Sequence, residues 1–218
     1  MNLFNRKNTL KEYRRLRKES RAVVEKIATL ATKHNLIAQA AKSLGMLEGK
    51  NTIVMNSESD TSYLMDYVLF EAKIGTQTTL EYFYDYGPEL TPKEDDYLAA
   101  MLENYVSVFE IVDFDAANAT VFLIDLLHQN RPVTIIDAAL SQNKGLLGVV
   151  LFSRIFTFEE LSMRSGASMT FFPQDKTDLL NRLALLKFKN RGKLSSGQMY
   201  QFFYKIHCSI GVETRFEE

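Results

Sequence analysis

The stretch 105-YVSVFEIVDFDAANATVFLIDLL-127 changes the period of the chain, and the fold class turns on it. Upstream of it, apolar residues recur at helical spacing. From Val106 they alternate: Ser107, Phe109 and Ile111 fall on one face, Val106, Val108, Glu110 and Val112 on the other. DFDAANA supplies turn-forming residues, and Thr120 to Leu127 brings the chain back as the second arm of a β-hairpin. That arm ends in Asp125, a carboxylate at the tip of an apolar strand, which raises the first question of function.

Working outward, three more strands follow: PVTII at 132–136, GVVLFSRIFTF at 148–158 and SMRSGASMTFF at 162–172, stopped by Pro173. Five short strands with tight connections predict a central five-stranded antiparallel meander or small barrel over 106–172. Helices flank it on both sides. Residues 8–46 carry Leu10, Tyr13, Leu16, Val23 and Ile27 at helical spacing, with Asn8 or Thr9 as the expected cap and a break near His34-Asn35. A second helix is expected from Ser59, Asp60 or Thr61 to about Lys73, ended by Gly75. TPKEDDYLAAMLENY is a strong helix start: Thr91 as cap, Pro92 in the first turn, then acids that favour the positive helix terminus. Helices over 175–188 and 196–208 close the fold, with ETRFEE at 213–218 as a frayed tail. The fold class is therefore α+β, with a helical N-terminal part, a central five-stranded sheet and C-terminal helices. The expected organisation is a basic helical arm over 1–50 and an α+β domain over 51–218, in which helices at 60–105 precede the meander and helices at 175–208 follow it.

The formal net charge of −1 conceals a strong asymmetry. Residues 1–50 hold 12 Lys and Arg against 4 Asp and Glu, residues 51–127 hold 2 against 15, and residues 128–218 hold 12 against 8. Segregated charge of this kind favours contact between the basic and acidic parts, within one chain or head to tail between copies. The alternative is that Arg14, Arg15, Arg17, Lys18 and Arg21 bind an anionic partner such as nucleic acid. The single cysteine, Cys208, excludes an internal disulfide and any one-chain zinc site that needs two cysteines. A reducing cytoplasm is the expected compartment. No apolar run reaches the roughly 18 residues of a membrane span, and the charged N-terminus is not followed by the apolar core of a secretory signal.

Motifs that carry common chemistries are missing. There is no GxxxxGK[ST], no GxGxxG and no GxSxG. His34, His128 and His207 share no motif, and His207-Cys208 point to different faces of a helix. No metal or cofactor is expected. Three polar residues stand out. Asp125 ends a strand, where a carboxylate takes turn N–H groups or pairs with an arginine. Arg154 sits alone in the apolar run GVVLFSRIFTF, where a charge faces solvent or finds a partner. Ser141 lies in DAALSQNKGLLG, whose spacing departs from the [D/N]xSxxG of PilZ domains, and no RxxxR precedes it.

The ordered series DYVLFE, LEYF, ELTPKEDDYLAAML, YVSVFEIVDFD, VFLIDLL, PVTIIDAALSQNKGLLGVVLFSRI and SGASMTFF, over residues 66–172, resembles a group of uncharacterised bacterial proteins related to those with a SEC-C motif. The resemblance implies that Asp125 belongs to a recurring hairpin framework. It implies no activity, and Cys208 alone cannot supply the zinc cluster of that motif.

Taken together, these readings favour a non-catalytic protein-interaction or binding module that meets a protein partner or a second copy of itself. A nucleic-acid-associated regulator using the basic helix is the first alternative. A hydrolase with Asp125, Ser141 and Arg154 in one pocket is the second.

Overall fold

The computed structural model describes residues 3–49 and 52–212, with side chains from residue 9 onward. The expected tail at 213–218, the Asn8 side chain and residues 50–51 lie outside these described residues. The class is α+β, with helices first, a five-stranded antiparallel sheet in the middle and helices last. The chain divides into two compact units, residues 1–105 with 154–167, and residues 106–153 with 168–218.

In the first unit, α1 (Leu3–Lys33) and α2 (Leu36–Leu44) are separated by Asn35 in the left-handed region at φ 54°. An asparagine tolerates that conformation, and Gly45 at φ 76° ends α2 in the same way. The helix starts at Leu3, upstream of Asn8 and Thr9, because LFNRKNTL contains no breaker; Thr9 is buried inside it rather than capping it. Leu16, Val23, Ile27 and Ala31 of α1 are fully buried, and burial of a Leu, Val or Ile side chain stabilises by about 1.5–3 kcal/mol. The helix packs on α2, α3 (Asp60–Phe70), α4 (Thr79–Tyr86) and α5 (Pro92–Leu102). Two small hairpins, β1 (Leu47–Glu48) with β2 (Thr52–Ile53) and β3 (Lys73–Ile74) with β4 (Gln77–Thr78), join these helices. They are too short to leave an alternation in the sequence.

Helix starts here are set locally. Thr78 and Glu81 form a capping box on α4, and Thr91 and Glu94 form one on α5 with Pro92 in its first turn. Glu94 also accepts from Lys26 Nζ of α1 at 2.7 Å, so the cap of α5 is tied to the long helix. Tyr63, Tyr67 and Phe83 are buried, while Tyr84 and Tyr86 face solvent. The aromatic cluster of the acidic segment is thus partly core and partly surface.

The sheet is built from β5 (Tyr105–Asp115), β6 (Thr120–Asp125), β7 (Arg131–Ile136), β8 (Val150–Thr157) and β9 (Ser162–Phe171) in the spatial order β7-β6-β5-β8-β9. The first three strands form a meander. The chain then returns through 137–149 and lays β8 on the open edge of β5, with Ile111 N–H donating to Val149 O and Gly148 N–H to Ile111 O. A bulge between Ile111 and Asp113 interrupts the alternation and leaves Val112 exposed. Strands β8 and β9 each supply residues to both units.

In the second unit, α6 (Lys176–Lys189) and α7 (Ser196–Ile210) follow the sheet. Phe203 of α7 stacks on Phe152 at 4.3 Å and lies against Phe171. Tyr200, Phe203, Tyr204 and Ile206 are buried. These residues of the segment YQFFYKI are therefore the inner face of α7 and part of the core, while Lys205 faces solvent. The four buried residues sit at helical spacing and have a sheet to cover.

Candidate functional site

Asp125 is fully buried at the end of β6. The strand register sets Arg131 directly opposite it, and Arg131 Nε lies 3.5 Å from Oδ2. Ser107 Oγ donates to Oδ1 at 2.5 Å, and the Leu127 N–H donates to the same oxygen at 3.1 Å. His128 Nδ1 is 2.9 Å from Oδ2 and 3.4 Å from Ser107 Oγ. A serine, a histidine and an aspartate therefore meet, but not as a proton relay. A relay needs the imidazole between the other two, one ring nitrogen to each. Here Ser107 and Asp125 face the same nitrogen, and the serine hydroxyl is spent on the carboxylate. The cluster fastens the end of the hairpin to the turn that follows.

Ser141 is a local fixture. Its hydroxyl donates to Ala138 O at 3.2 Å, and the neighbouring Asp137 accepts from Leu140 N–H at 2.8 Å. The Asp137 N–H donates to Ala119 O, next to Thr120 at the start of β6, whereas Asp125 ends that strand. At about 3.3 Å per residue, the two positions lie at opposite ends of β6, and the hydrolase arrangement of Asp125 with Ser141 does not form. The third expected member, Arg154, does not pair with Asp125. Its partners are Asp66, Glu71 and Asn104, while the arginine of Asp125 is Arg131. The register supplies Arg131, so Asp125 has no need of a distant cation.

The Arg154 cluster belongs to the first unit and is buried there. The Arg154 side chain is 4% exposed; Nε donates to Asp66 Oδ2 at 3.2 Å and Nη2 to Glu71 Oε1 at 2.7 Å. Nη1 donates to Asn104 Oδ1, and the guanidinium lies 4.0 Å over the Phe70 ring. Planar guanidinium is the cation that can serve two carboxylates and an aromatic face at once. Burial raises the Asp66 carboxyl above its ordinary range, and the nearby Arg154 charge opposes that rise.

Asp66 also lines a cavity of about 230 Å³. Its other polar walls are Ser20, Ser62, Ser165 and Tyr97, and its apolar walls include Phe70 and Phe156. Ser165 Oγ is sealed from solvent and closes no hydrogen bond of full geometry, although it lies near enough to Asp66 to favour the charged carboxylate. Burial pushes the Tyr97 hydroxyl up to about 12. Among the described residues no Lys, Arg or His lines this cavity.

The sequence reading did not select Asp66, Glu71, Asn104 or Ser165. One signal was present: Asp66 is the only charge in YLMDYVLF, as Arg154 is in GVVLFSRIFTF. Two lone opposite charges, each inside an apolar run, are candidates to meet.

The basic face of α1 is split. Arg14, Lys18 and Arg21 are exposed on one side of the helix. Arg15 is paired with Glu12, and Arg17 donates from Nε to Tyr13 Oη at 3.0 Å and lies over that ring. Arg15 also edges a groove of about 470 Å³ whose other charged walls are Glu12, Asp96, Glu103, Glu159 and Glu160. A phosphate backbone brought to Arg15 would meet those acids first. Among the described residues no cluster of three or more His, Cys, Asp or Glu is arranged to hold a metal, and no helix is long and apolar enough to cross a membrane.

Fold and site together define an α+β protein with a polar-floored cavity in its helical unit and a carboxylate-locked hairpin in its sheet. The chain belongs to the family of unknown function DUF7986, whose profile matches residues 7–217. No curated protein and no solved structure matches it.

Proposed function

We propose that the protein is a non-catalytic binding module whose site is the cavity beside Asp66. The observation that carries this reading is a buried carboxylate on the cavity wall with its counter-charge, Arg154, held behind it. A cavity with an apolar lining and a few convergent polar groups is the usual form of a small-molecule site. The groups that line it suit binding better than chemistry. Three serine hydroxyls have no histidine or lysine among the described lining residues to activate them, and Tyr97 holds its proton far above neutral pH. The lone carboxylate is tied to Arg154, without the second group that acid/base work requires.

A fragment screen by thermal shift on the full chain tests this, with Ala167→Phe as the variant that fills the cavity from its wall. Fragments are expected to stabilise the wild type and to lose their effect on the filled variant. Equal shifts in both proteins would refute the cavity as the site.

A second reading, association with another copy, draws on charge. Leu185 and Phe188 of α6 are exposed, Phe188 by 84%, beside Lys187, Lys189, Arg191 and Lys193. This basic, apolar end complements the acidic groove around Asp96, Glu103 and Glu159, which also presents Phe158. Light scattering behind size exclusion tests it: mass above the monomer that falls as salt rises supports the reading, and a monomer at low salt refutes it.

A further inference from the structure

We propose that the cavity beside Asp66 accepts a small organic ammonium with an aromatic or similarly bulky apolar body. This rests on the reading of that cavity as a binding site and names the chemistry it selects.

Charge comes first. Among the described residues, Asp66 is the only formally charged group on the cavity wall. The adjacent guanidinium is already committed to Asp66, Glu71, Asn104 and the face of Phe70. Of the two carboxylates on that guanidinium, only Asp66 lines the cavity. An anionic ligand would meet the Asp66 carboxylate with hydroxyls, but no cationic side chain among the described lining residues, to offset the repulsion. An ammonium would meet a partner already held in place.

The remaining walls fit the remaining parts of such a molecule. An ammonium has more N–H groups than one carboxylate can use, and the hydroxyls of Ser20, Ser62 and Ser165 offer further acceptors. The Ser165 hydroxyl stands out because it is sealed from solvent without a full hydrogen bond, a condition that costs free energy until something pairs with it. Phe70, Phe156 and Tyr97 give aromatic surface within the same space, with Phe156 5.8 Å from Phe70 and 5.9 Å from Tyr97 between ring centres. Such rings hold both an apolar body and a cation. Size agrees as well. A cavity of roughly 150 Å³ takes up benzene, so the 230 Å³ here has room for a ring and a short amine-bearing chain.

The test is isothermal titration of the full chain with three probes that share an aryl body: 2-phenylethylamine, 2-phenylethanol and 3-phenylpropionate. The amine is expected to bind about tenfold more tightly than the alcohol, the step expected for one charged hydrogen bond, and the acid is expected not to bind. Asp66→Asn should bring the amine down to the level of the alcohol while leaving the alcohol unchanged. Ser165→Ala, a change that removes a single wall hydroxyl, should weaken the amine severalfold and serves if the Asp66 variant fails to fold. Acid binding as tight as amine binding would overturn the ammonium inference and leave the cavity reading standing. So would amine binding that neither variant weakens. Silence from all three probes at millimolar concentration, with no effect of Ala167→Phe on any fragment, would overturn the cavity reading and the inference with it.

Discussion

Replacing Arg154 by Met keeps an unbranched side chain of similar length and its contact with the Phe70 ring, but removes a cation that Asp66 and Glu71 share. The side chains of those two carboxylates are 6% and 4% exposed in the native protein. In the variant they stay buried without the Arg154 charge, and breaking a buried ion pair from one side costs about 3–5 kcal/mol. For a chain of this size 1 kcal/mol moves the melting temperature by about 2–4 °C, so a fall of roughly 10 °C is expected. The deficit has a signature in pH. Burial already raises the Asp66 carboxyl, and loss of Arg154 removes the charge that opposes the rise. A carboxyl raised in the folded state binds its proton more tightly there than when unfolded, so stability falls as pH climbs through the shifted range. The gap between wild type and Arg154→Met should therefore be widest at neutral pH and should narrow as the medium is acidified. Chemical denaturation at several pH values reads both quantities. Adding Asp66→Asn and Glu71→Gln to the variant should recover most of the loss. A deficit under about 1 kcal/mol, the scale of a surface pair, or a deficit that ignores pH, would refute the account of this cluster.

Glu94→Gln should lose about 1–2 kcal/mol, from the Lys26 pair and a weakened capping box. The Lys26 hydrogen bond, followed by the Thr91 N–H, holds the Glu94 carboxyl down at about 2 from an ordinary 4.5. Its contribution is complete above the ordinary value and drains away as pH falls toward the lower one, so wild type and variant should converge in acid melts. Asp125→Ala strands the Ser107 hydroxyl and the Leu127 N–H and should cost about 2–4 kcal/mol, seen in urea unfolding and in faster hydrogen exchange at residues 126–131. Phe188→Ser should change stability by less than about 0.5 kcal/mol, since the ring is in solvent, while reducing any mass above the monomer in light scattering. Arg14→Glu, Lys18→Glu and Arg21→Glu together should leave the ratio of absorbance at 260 and 280 nm of the purified protein unchanged. A ratio that drops in the triple variant would move the nucleic-acid reading forward.

What could be read from the sequence is what neighbouring residues decide among themselves. Thr91, Pro92 and Glu94 make a helix start within one turn, and α5 begins at Pro92. The alternation from Val106 and the turn residues DFDAANA make a hairpin, and β5 and β6 pair across it from Asp115–Thr120 to Phe109–Asp125. Ser195 caps α7 by the same local rule. What escaped is what depends on distance along the chain. The alternation of β8 says that it is a strand but not which edge receives it, so its place beside β5 had no local signal. Arg154 advertised its need for a partner, but Asp66 and Glu71 lie 88 and 83 residues away, where no spacing rule reaches. Helix α1 ran past its expected cap because a run without breakers propagates through a capping residue. Ser107, between two valines on a buried strand, looked like an ordinary alternation residue until Asp125 was placed across from it.

The first unit is discontinuous in sequence, and that has a temporal meaning. Residues 1–105 leave the ribosome well before residues 154–167, which complete the unit. At about 5–20 residues per second, several seconds pass between the synthesis of Asp66 and that of Arg154. During that interval the helices can assemble, but the two acids wait uncompensated, and protonation or hydration must hold them. The hairpin that carries Arg154 arrives as a late key, and a chain cut after Tyr105 would stay in the waiting state for good.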